Sequence, residues 1–272
     1  MLKLIAYDMD YTMLQTGGTL STASEEALLA AVNQGIAVVP VTGRGLRELE
    51  GLLPSLHAQY AVLVNGAVVY DLARREVIYR ETADQTIMLD MLKKAIDMGL
   101  YTEVYSGEVY TNPFSYDNME KLGMLPDQAP MFKATRTVVP DLYQAMEQVG
   151  SMEKIHLIFR NVADKKRRQS IFLGHPDLSY TAAYTHNLEL CSKKVDKASG
   201  LAALTKHLGI KSHEVMALGD GANDASMLRW AGLGVAMSNA VPEAKEAADE
   251  LTLSNDEDGA ALAIWKWALK QK

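Results

Sequence analysis

The feature that most constrains this chain is a short apolar run that ends abruptly in acids. Residues 4–7 read Leu-Ile-Ala-Tyr without polar alternation, a pattern typical of a strand covered on both faces in a parallel sheet. Asp8 and Asp10 follow at once, and Thr12 comes next. Parallel sheets bind ligands at the carboxyl ends of their strands, so we expect both carboxylates to face a crevice. Two like charges held this close require a cation, a shared proton, or both.

A second apolar run ends in the same way more than half the chain later. Residues 215–218 are apolar, and Asp220 and Asp224 follow shortly after them. Taken alone, Asp8 and Asp10 are explained equally well by a turn in which carboxylates bind nearby backbone N–H groups. Two acidic strand ends in one sheet favour a functional site instead.

The first eighty residues alternate strand and helix patterns. Residues 36–41 form a buried strand that ends at Thr42 and Gly43, and residues 61–64 form another that ends at Asn65. A helix precedes each of them, the second running from residue 48 to residue 53. This order indicates an α/β fold with a doubly wound, mostly parallel, Rossmann-like core sheet. A hydroxyl followed by glycine, as at Thr42, suits an oxyanion contact, although alone it reads as a turn.

The pattern changes in the middle of the chain. Residues 101–110 alternate and turn at a Ser-Gly pair, which predicts an antiparallel hairpin, and aromatic strands and helices follow. The parallel pattern resumes with a helix over 197–208. We therefore expect a discontinuous core domain, residues 1–82 and 184–272, with an inserted α+β cap domain over residues 83–183. An insertion joined by two crossings favours a lid that opens and closes.

Composition excludes several classes of protein. The net charge of −7 and the pI near 5.4 argue against nucleic acid or an acidic membrane as a partner. The single cysteine, Cys191, excludes an intramolecular disulfide and a multi-cysteine zinc site and reads as a small apolar filler. The sequence shows no charged and apolar leader and no apolar run long enough to span a bilayer, so we expect a cytoplasmic protein.

Four separated motifs occur in a characteristic order. They are Asp8-Met9-Asp10-Tyr11-Thr12, Val41-Thr42-Gly43-Arg44, Lys197 with Gly200-Leu201 and Leu204 behind it, and Gly219-Asp220-Gly221-Ala222-Asn223-Asp224. Together they resemble the haloacid dehalogenase (HAD) superfamily, specifically the Cof-type phosphatases that carry a large C2 (type IIB) cap. The resemblance spans both ends of the chain, and it rests on the combination because each motif alone is weak.

The resemblance implies a chemistry that the residues can perform. Asp8 would attack phosphorus and form an aspartyl-phosphate, and Asp10 would protonate the leaving oxygen and then activate the water that releases phosphate. Thr42, the Gly43 N–H group and Lys197 would hold the phosphoryl oxygens. We prefer Lys197 to the nearby Lys193 and Lys194 because the glycine and leucine spacing behind it matches the family helix.

The resemblance also implies a metal site. Mg²⁺ prefers oxygen ligands and would bring an anionic nucleophile against an anionic phosphate. Family positions assign it to the Asp8 carboxylate, the Asp10 backbone carbonyl and Asp220. Asp224 would support the metal through water or orient Lys197. Asn223 could donate to the same phosphoryl oxygens.

The sequence departs from the family pattern at one position of the first motif. Tyr11 stands where family members usually carry glycine, and a tyrosine would be strained there if the position requires a positive φ. A sensor that holds a phosphorylated ligand without turning it over therefore stays open as an alternative to hydrolysis. Phosphotransfer to another acceptor, as in a phosphomutase, also stays open because the motifs allow it equally.

The expected substrate is a small phosphorylated metabolite, with sugar phosphates the commonest in the family. The cap would set specificity because the core motifs read only the phosphoryl group. Polar residues near cap turns are candidates for that role: Asn112, Tyr116, Asp117 and His186. We expect a monomer or a weak homo-oligomer with neither nucleic acid nor membrane as partner.

Overall fold

A computed structural model describes residues 1–126, 128–182 and 184–269. Its strands are, in chain order, β1 Leu4–Tyr7, β2 Ala37–Pro40, β3 Tyr60–Leu63, β4 Val68–Asp71, β5 Glu76–Arg80, β6 Tyr101–Ser106, β7 Glu108–Thr111, β8 Thr137–Val138, β9 Lys154–Ile158, β10 Leu178–Thr181, β11 Asn187–Ser192, β12 Val215–Gly219, β13 Leu233–Ala236 and β14 Glu250–Leu251.

The α-helices lie between these strands. They are α1 Thr22–Asn33, α2 Leu53–Leu56, α3 Gln85–Asp97, α4 Pro113–Asp117, α5 Ala129–Thr135, α6 Leu142–Val149, α7 Val162–Arg168, α8 Lys197–Leu208, α9 Ala225–Trp230, α10 Pro242–Ala247 and α11 Gly259–Ala263. Shorter helical turns cover Met9–Met13, directly after β1, and Ala222–Asp224, directly after β12.

The chain forms two compact units. The first consists of Met1–Arg44, Leu49–Arg80 and Asp196–Lys272. The second consists of Gly45–Glu48 and Glu81–Val195. The first unit is therefore discontinuous in sequence, and the second is inserted into it.

A five-stranded parallel sheet forms the centre of the first unit. Its strand order is β14-β13-β12-β1-β2, and every neighbouring pair is parallel. A parallel bridge from Val41 to Val62 continues this sheet towards the antiparallel β3-β4-β5 meander. All four residues of β1 are inaccessible to solvent, as the lack of polar alternation predicted. The α/β fold class with a mostly parallel core sheet is confirmed.

Parallel pairing explains why distant acidic residues come together. The register aligns Tyr7 with both Leu218 and Pro40, so β1, β12 and β2 end at the same edge. Asp8 continues the ladder for one more residue, because its N–H donates to the carbonyl oxygen of Leu218 at 3.0 Å. The residues that follow these three strands therefore emerge side by side.

The second unit contains a six-stranded mixed sheet of order β10-β11-β9-β6-β7-β8. One face packs on α3 and α6 through a core that includes Leu92, Val104, Met146 and Leu157. The predicted hairpin of residues 101–110 is present as β6 and β7, with Gly107 at φ 73° in the turn. This unit is the α+β insertion that the change of pattern indicated.

Two boundaries differ from the sequence-based expectation. The inserted unit continues to Val195, beyond the expected limit at residue 183, because β11 pairs on both sides with β10 and β9. It also begins at Glu81 rather than at residue 83. Ala183, the expected boundary residue, lies outside the described residues.

The expected helix from residue 48 to residue 53 is wrong. A short 3₁₀ turn covers Leu46–Glu48, and α2 begins only at Leu53, with Pro54 in its first turn. Glu48 ends the 3₁₀ turn, and its carboxylate accepts the Gly45 N–H at 2.6 Å and pairs with Arg136 at 2.7 Å. Both contacts lie within the second unit, which therefore includes residues 45–48.

The other face of the six-stranded sheet carries buried charges. Arg136 donates from Nε and Nη2 to the Glu103 carboxylate at 2.8 and 2.9 Å, and from Nη1 to Glu48. The side chains of Arg136 and Glu103 are fully buried. His156 contacts Glu103 through Nδ1 at 2.8 Å. Despite burial, the Arg136 guanidinium and the hydrogen bond with His156 hold the pKa of Glu103 well below its ordinary value.

Replacing Arg136 with methionine is expected to destabilise the protein by about 3–5 kcal/mol, because two buried carboxylates lose their cation. Urea unfolding measures this loss. The matched control is Lys94→Met, which breaks the exposed pair with Asp90 and is expected to change the free energy of unfolding by less than about 0.5 kcal/mol. Equal stability of the two variants would contradict the assignment of Arg136 as the charge partner of Glu48 and Glu103.

Candidate active site

The site is organised around a buried lysine between two carboxylates. Lys197 is the first residue of α8, and its Nζ donates both to Asp8 Oδ1 and to Asp224 Oδ1, the latter at 2.5 Å. The side chains of Lys197 and Asp224 are fully buried, and that of Asp8 is 12% exposed. Asp196 caps α8 by accepting the Ser199 N–H at 2.7 Å, which fixes the first turn of the helix and with it Lys197.

Asp220 completes a carboxylate cluster with Asp8 and Asp224. One oxygen from each of these three side chains lies within 4.8 Å of the others. Thr12 donates its hydroxyl to Asp220 Oδ1 at 2.6 Å. The second oxygen of Asp224 accepts the N–H groups of Asp220 and Gly221 at 2.9 and 2.8 Å, so Asp224 holds the turn that carries Asp220.

Burial shapes the protonation of this cluster. It raises the pKa of Asp8 well above the ordinary value, and Asp224 and Asp220 add to the shift while Lys197 opposes it. Burial likewise raises the pKa of Asp220 to about 6, against the effect of the Thr12 hydroxyl. Lys197 has a raised pKa because its carboxylate partners outweigh desolvation. Three carboxylates with one lysine thus leave excess negative charge in a poorly solvated place.

Asp10 has a different partner. Arg44 donates to both oxygens of its carboxylate, from Nε to Oδ2 at 3.0 Å and from Nη2 to Oδ1. This fork geometry fixes the plane of the carboxylate as well as its position. Asp10 remains half exposed, whereas Asp8 is buried, so the two acids of the first motif occupy different environments.

The residues after β2 and β3 meet at a loop on the same edge. Thr42 is buried, and its hydroxyl accepts the Arg44 N–H at 3.2 Å. Its carbonyl accepts the Asn65 N–H at 2.9 Å. Asn65 Oδ1 in turn accepts a hydrogen bond from Nδ2 of Asn223 at 3.2 Å, which links this loop to the loop after β12.

Tyr11 adopts the left-handed conformation that glycine would favour, with φ 60° and ψ 10°. Its backbone carbonyl accepts a hydrogen bond from Nδ2 of Asn239 at 2.9 Å, and the residue is 58% exposed. The turn over Met9–Met13 therefore forms with tyrosine in place of glycine, and the departure from the family pattern introduces backbone strain without removing the turn.

At residue 11, glycine (Tyr11→Gly) is expected to give a more stable protein than alanine (Tyr11→Ala), the reverse of the order usual in regular secondary structure. Both variants lose the ring, but only alanine retains the left-handed strain, so the glycine variant should be more stable by about 1 kcal/mol. Urea unfolding of both proteins measures the difference. An alanine variant as stable as the glycine variant would show that residue 11 does not require a positive φ.

The structure brings most of the sequence-predicted site residues to one edge of the core sheet. Asp8, Lys197, Asp220 and Asp224 form one connected cluster. Thr42, Gly43 and Asn223 surround Asn65, and Asp10 is held by Arg44. Within the described ranges, the Asp10 side chain is not part of the carboxylate cluster.

Three further residues take part that the sequence reasoning gave no role. Arg44 and Thr12 lie inside the quoted motifs, but which acid each contacts depends on the fold. Asn65 is a polar residue at the end of a predicted strand, and its link to Asn223 spans 158 positions of the sequence. The sequence feature that marks such site residues is a polar residue shortly after a buried parallel strand.

Three of the four residues suggested for specificity in the inserted unit make structural contacts, and the fourth, Asp117, is exposed at the end of α4. Asn112 caps α4 by accepting the Ser115 N–H at 2.7 Å. Tyr116 donates to the carbonyl of Lys133 at 3.1 Å, and His186 Nε2 lies 2.8 Å from the carbonyl oxygen of Gly123. These bonds stabilise turns of the inserted unit, so the positions of these residues give no independent support for a role in substrate selection.

The fold and the site together define an α/β enzyme whose acidic centre lies at the carboxyl edge of a parallel sheet. A family model described as haloacid dehalogenase-like hydrolase matches residues 5–264. The chain belongs to this family, and the resemblance to its Cof-type members with a type IIB cap is confirmed. It is a phosphatase-class enzyme, as its relatives' names indicate.

Among the similar proteins is phosphatase YwpJ of Bacillus subtilis, which is 31% identical over 96% of this chain and 98% of its own. Another is the 5-amino-6-(5-phospho-D-ribitylamino)uracil phosphatase YwtE of the same organism, 29% identical over 97% of each chain. A solved sugar phosphatase of HAD subclass IIB covers 98% of this chain and 99% of its own, with a TM-score of 0.80 and 22% identity. This last likeness shows the fold.

In the ranges that the structure describes, no helix combines the length and the apolar character needed to cross a bilayer.

Proposed function

We propose that this enzyme hydrolyses the phosphomonoester of a small metabolite with Mg²⁺, through an aspartyl-phosphate on Asp8. The observation that carries the proposal is the buried contact of Lys197 with both Asp8 and Asp224 beside Asp220. A carboxylate can attack a phosphate dianion only where positive charge offsets their repulsion, and Lys197 supplies part of that charge.

The reaction divides into two displacements at phosphorus. In the first, Asp8 Oδ forms a bond to phosphorus while the ester P–O bond breaks, and Asp10 gives its proton to the leaving oxygen. In the second, Asp10 takes a proton from water, the water oxygen bonds to phosphorus, and the bond to Asp8 breaks to release phosphate. Arg44 holds the Asp10 carboxylate in place for both proton transfers.

The phosphoryl oxygens would be held by groups from three loops. Thr42 and the Gly43 N–H follow β2, Asn223 follows β12, and Lys197 begins α8. N–H, hydroxyl and ammonium donors placed before the reaction starts stabilise the charge that redistributes in the transition state.

The donor set fits Mg²⁺. Asp8 and Asp220 supply carboxylate oxygens in a cluster whose raised pKa values reflect burial first and the neighbouring negative charges second, and a divalent cation would offset those charges. The Asp10 backbone carbonyl would be a further ligand, and Asp224 would act through water. When bound, the ion neutralises charge between the carboxylate nucleophile and the phosphate.

Asp220→Asn is expected to stabilise the metal-free protein at pH 8 by about 2 kcal/mol and to have no effect at pH 4. The pKa of Asp220 is raised from 3.8 to about 6, so its contribution to stability is full below pH 4 and is lost as pH rises through 6. Urea unfolding in chelator at both pH values measures this. Addition of Mg²⁺ should then raise the Tm of the wild type more than that of the variant.

Glu214→Gln is the control for this experiment. The ion pair with Lys3 lowers the pKa of Glu214 to about 2, so its effect on stability has the opposite sign: the contribution is present above the ordinary carboxyl pKa and is lost towards pH 2. Its Tm response to Mg²⁺ should equal that of the wild type. A Mg²⁺ response that is equally large in Asp220→Asn would contradict a metal role for Asp220.

We further propose a phosphorylated sugar or sugar alcohol as substrate. Support comes from YwtE, whose name specifies a phosphorylated ribityl chain, and from the sugar phosphatase of similar fold. The inserted unit would select the carbon skeleton, since the core motifs contact only the phosphoryl group. The cytoplasmic location and the monomeric or weakly oligomeric state remain predictions from the sequence.

A panel assay tests the proposed function. Phosphate release is measured from sugar phosphates, sugar-alcohol phosphates, nucleotides and an aryl phosphate, with Mg²⁺ and with chelator. We expect release that requires the metal and is fastest with a sugar or sugar-alcohol phosphate. A phosphorylated product without free phosphate would favour phosphotransfer, and binding without turnover would favour a sensor.

A further inference from the structure

Three consecutive residues after β3 adopt the left-handed conformation. Val64, Asn65 and Gly66 have φ values of 52°, 56° and 104°. Glycine and asparagine tolerate this region, but valine does so at a cost because its branched Cβ crowds the backbone. Such strain persists only where surrounding contacts enforce it, and it concentrates at functional sites.

Two backbone hydrogen bonds tie this loop to the residues after β2. The Val64 N–H donates to the Arg44 carbonyl at 3.1 Å, and the Asn65 N–H donates to the Thr42 carbonyl at 2.9 Å. The Asn65 side chain also lies against Gly43, where an added Cβ would be 3.0 Å from Asn65 Oδ1. Asn65 therefore borders the segment whose hydroxyl and N–H groups are assigned to the phosphoryl oxygens.

The same loop supports the helix that carries Lys197. A Cβ at Gly66 would lie 2.0 Å from the Asp196 carbonyl oxygen, and one at Gly200 would lie 2.7 Å from the Gly66 Cα. Only glycines permit this approach, so the start of α8 rests directly on the loop. The left-handed backbone at Asn65 is thus enforced from two sides.

The side chain of Asn65 connects the loop to Asn223. Its Oδ1 accepts one N–H of the Asn223 amide at 3.2 Å. An amide nitrogen carries two protons, so the second N–H of Asn223 remains available for another acceptor. Asn223 is exposed in a short helical turn, where a side chain samples several rotamers unless a partner fixes it.

We propose that Asn65 is a positioning residue that aligns the Asn223 amide for a phosphoryl oxygen. It acts through Asn223 and not by contact with the substrate. The inference rests on the proposed function in one respect only, namely that a phosphate group occupies the place between Thr42, Asn223 and Lys197.

A double-mutant cycle with inorganic phosphate tests the proposal. The four proteins are the wild type, Asn65→Gly, Asn223→Ala and the double variant, and the Kd for phosphate in the presence of Mg²⁺ is measured by calorimetry. Glycine at residue 65 accepts the left-handed backbone, so this variant removes the amide without adding strain. The Tm of each protein establishes that all four are folded.

Asn223→Ala is expected to weaken phosphate binding by about 10–100-fold, the range for a hydrogen bond to a charged group. Asn65→Gly should weaken it by about tenfold, and the double variant should match Asn223→Ala within about twofold, because Asn65 has no route to phosphate without Asn223. The proposal would be overturned if the fold-losses of the two single variants multiplied in the double variant. Unchanged phosphate binding by Asn65→Gly would also overturn it, as would a wild type that binds no phosphate.

A third substitution separates alignment from charge. Asn65→Asp keeps an oxygen that accepts the Asn223 N–H but places a negative charge beside Gly43. The ratio of its Kd for phosphate to that of Asn65→Gly should therefore rise as pH rises through the carboxyl pKa, because the new charge is the one titrating group that distinguishes the two variants. Because phosphate binding is read without turnover, the result stands apart from the hydrolysis assay, in which the proposed function itself succeeds or fails.

Discussion

Asp8→Asn is expected to reduce metal-dependent phosphate release by at least about 10³-fold, because the amide cannot form the bond to phosphorus. The fold should survive the change. Burial already raises the pKa of Asp8, so loss of its charge removes repulsion from Asp220 and Asp224, and Lys197 keeps its bond to Asp224. The measurement is kcat on the best substrate of the panel, together with the Tm.

Glu214→Gln is the matched control for this loss of activity. Glu214 precedes β12 at the amino end of the strands and pairs with Lys3 at 2.7 Å, so its change should leave kcat within about twofold of wild type. Wild-type turnover by the Asp8→Asn variant would contradict the assignment of Asp8 as the nucleophile. If the Asp8→Asn variant is inactive and its Tm is also strongly lowered, Asp8→Glu replaces it in the test, because glutamate keeps the charge but displaces the attacking oxygen.

Lys197→Met is expected to damage both stability and catalysis. It leaves Asp8 and Asp224 buried beside Asp220 without their cation, which should cost about 3–5 kcal/mol in chelator at pH 8. The activity of the folded fraction should fall by at least about 10²-fold, since a donor to the phosphoryl oxygens is lost. Urea unfolding and saturating metal-dependent kinetics measure the two effects.

The stability loss of Lys197→Met should shrink as pH falls towards 4. The raised pKa of Lys197 means that its contribution in the wild type is complete at all pH values below its ordinary pKa and is lost only at strongly alkaline pH. In the variant, protonation of the neighbouring acids at low pH removes the unpaired charges. Lys206→Met, an exposed lysine on the same helix, should change stability by less than about 1 kcal/mol at either pH, and an equal loss in both variants would contradict the account.

The end of the first strand and the identity of the site lysine could be predicted because both depend on the pattern of residues next to them in the sequence. The uninterrupted apolar run before Asp8 defines a strand that is buried on both faces, and it is inaccessible to solvent. The glycine and leucine spacing selected Lys197 over Lys193 and Lys194, and Lys197 is the lysine whose Nζ contacts Asp8. The strain expected at Tyr11 followed from the glycine of the family pattern, and its φ is positive.

Contacts between distant segments could not be predicted in the same way. Arg136 and Glu48 are 88 positions apart, and nothing in either segment's own sequence indicates that one is buried against the other. The return boundary was misplaced because β11 has a pattern that suits either unit, and only its pairing with β9 and β10 decides between them. Asn65 acquires a role only when the loops after β3 and β12 meet.

The most direct test of the central claim is capture of the phosphoryl group on Asp8. Asp10→Asn protein is mixed with an aryl phosphate and Mg²⁺, quenched in acid and mapped by peptide mass spectrometry. The aryl oxygen leaves without a general acid, whereas the second step needs Asp10 as base, so the intermediate should accumulate. We expect one phosphoryl group on the peptide that contains Asp8 and none when Asp8→Asn is added. Turnover without any phosphorylated peptide, or a phosphoryl group on another residue, would contradict it.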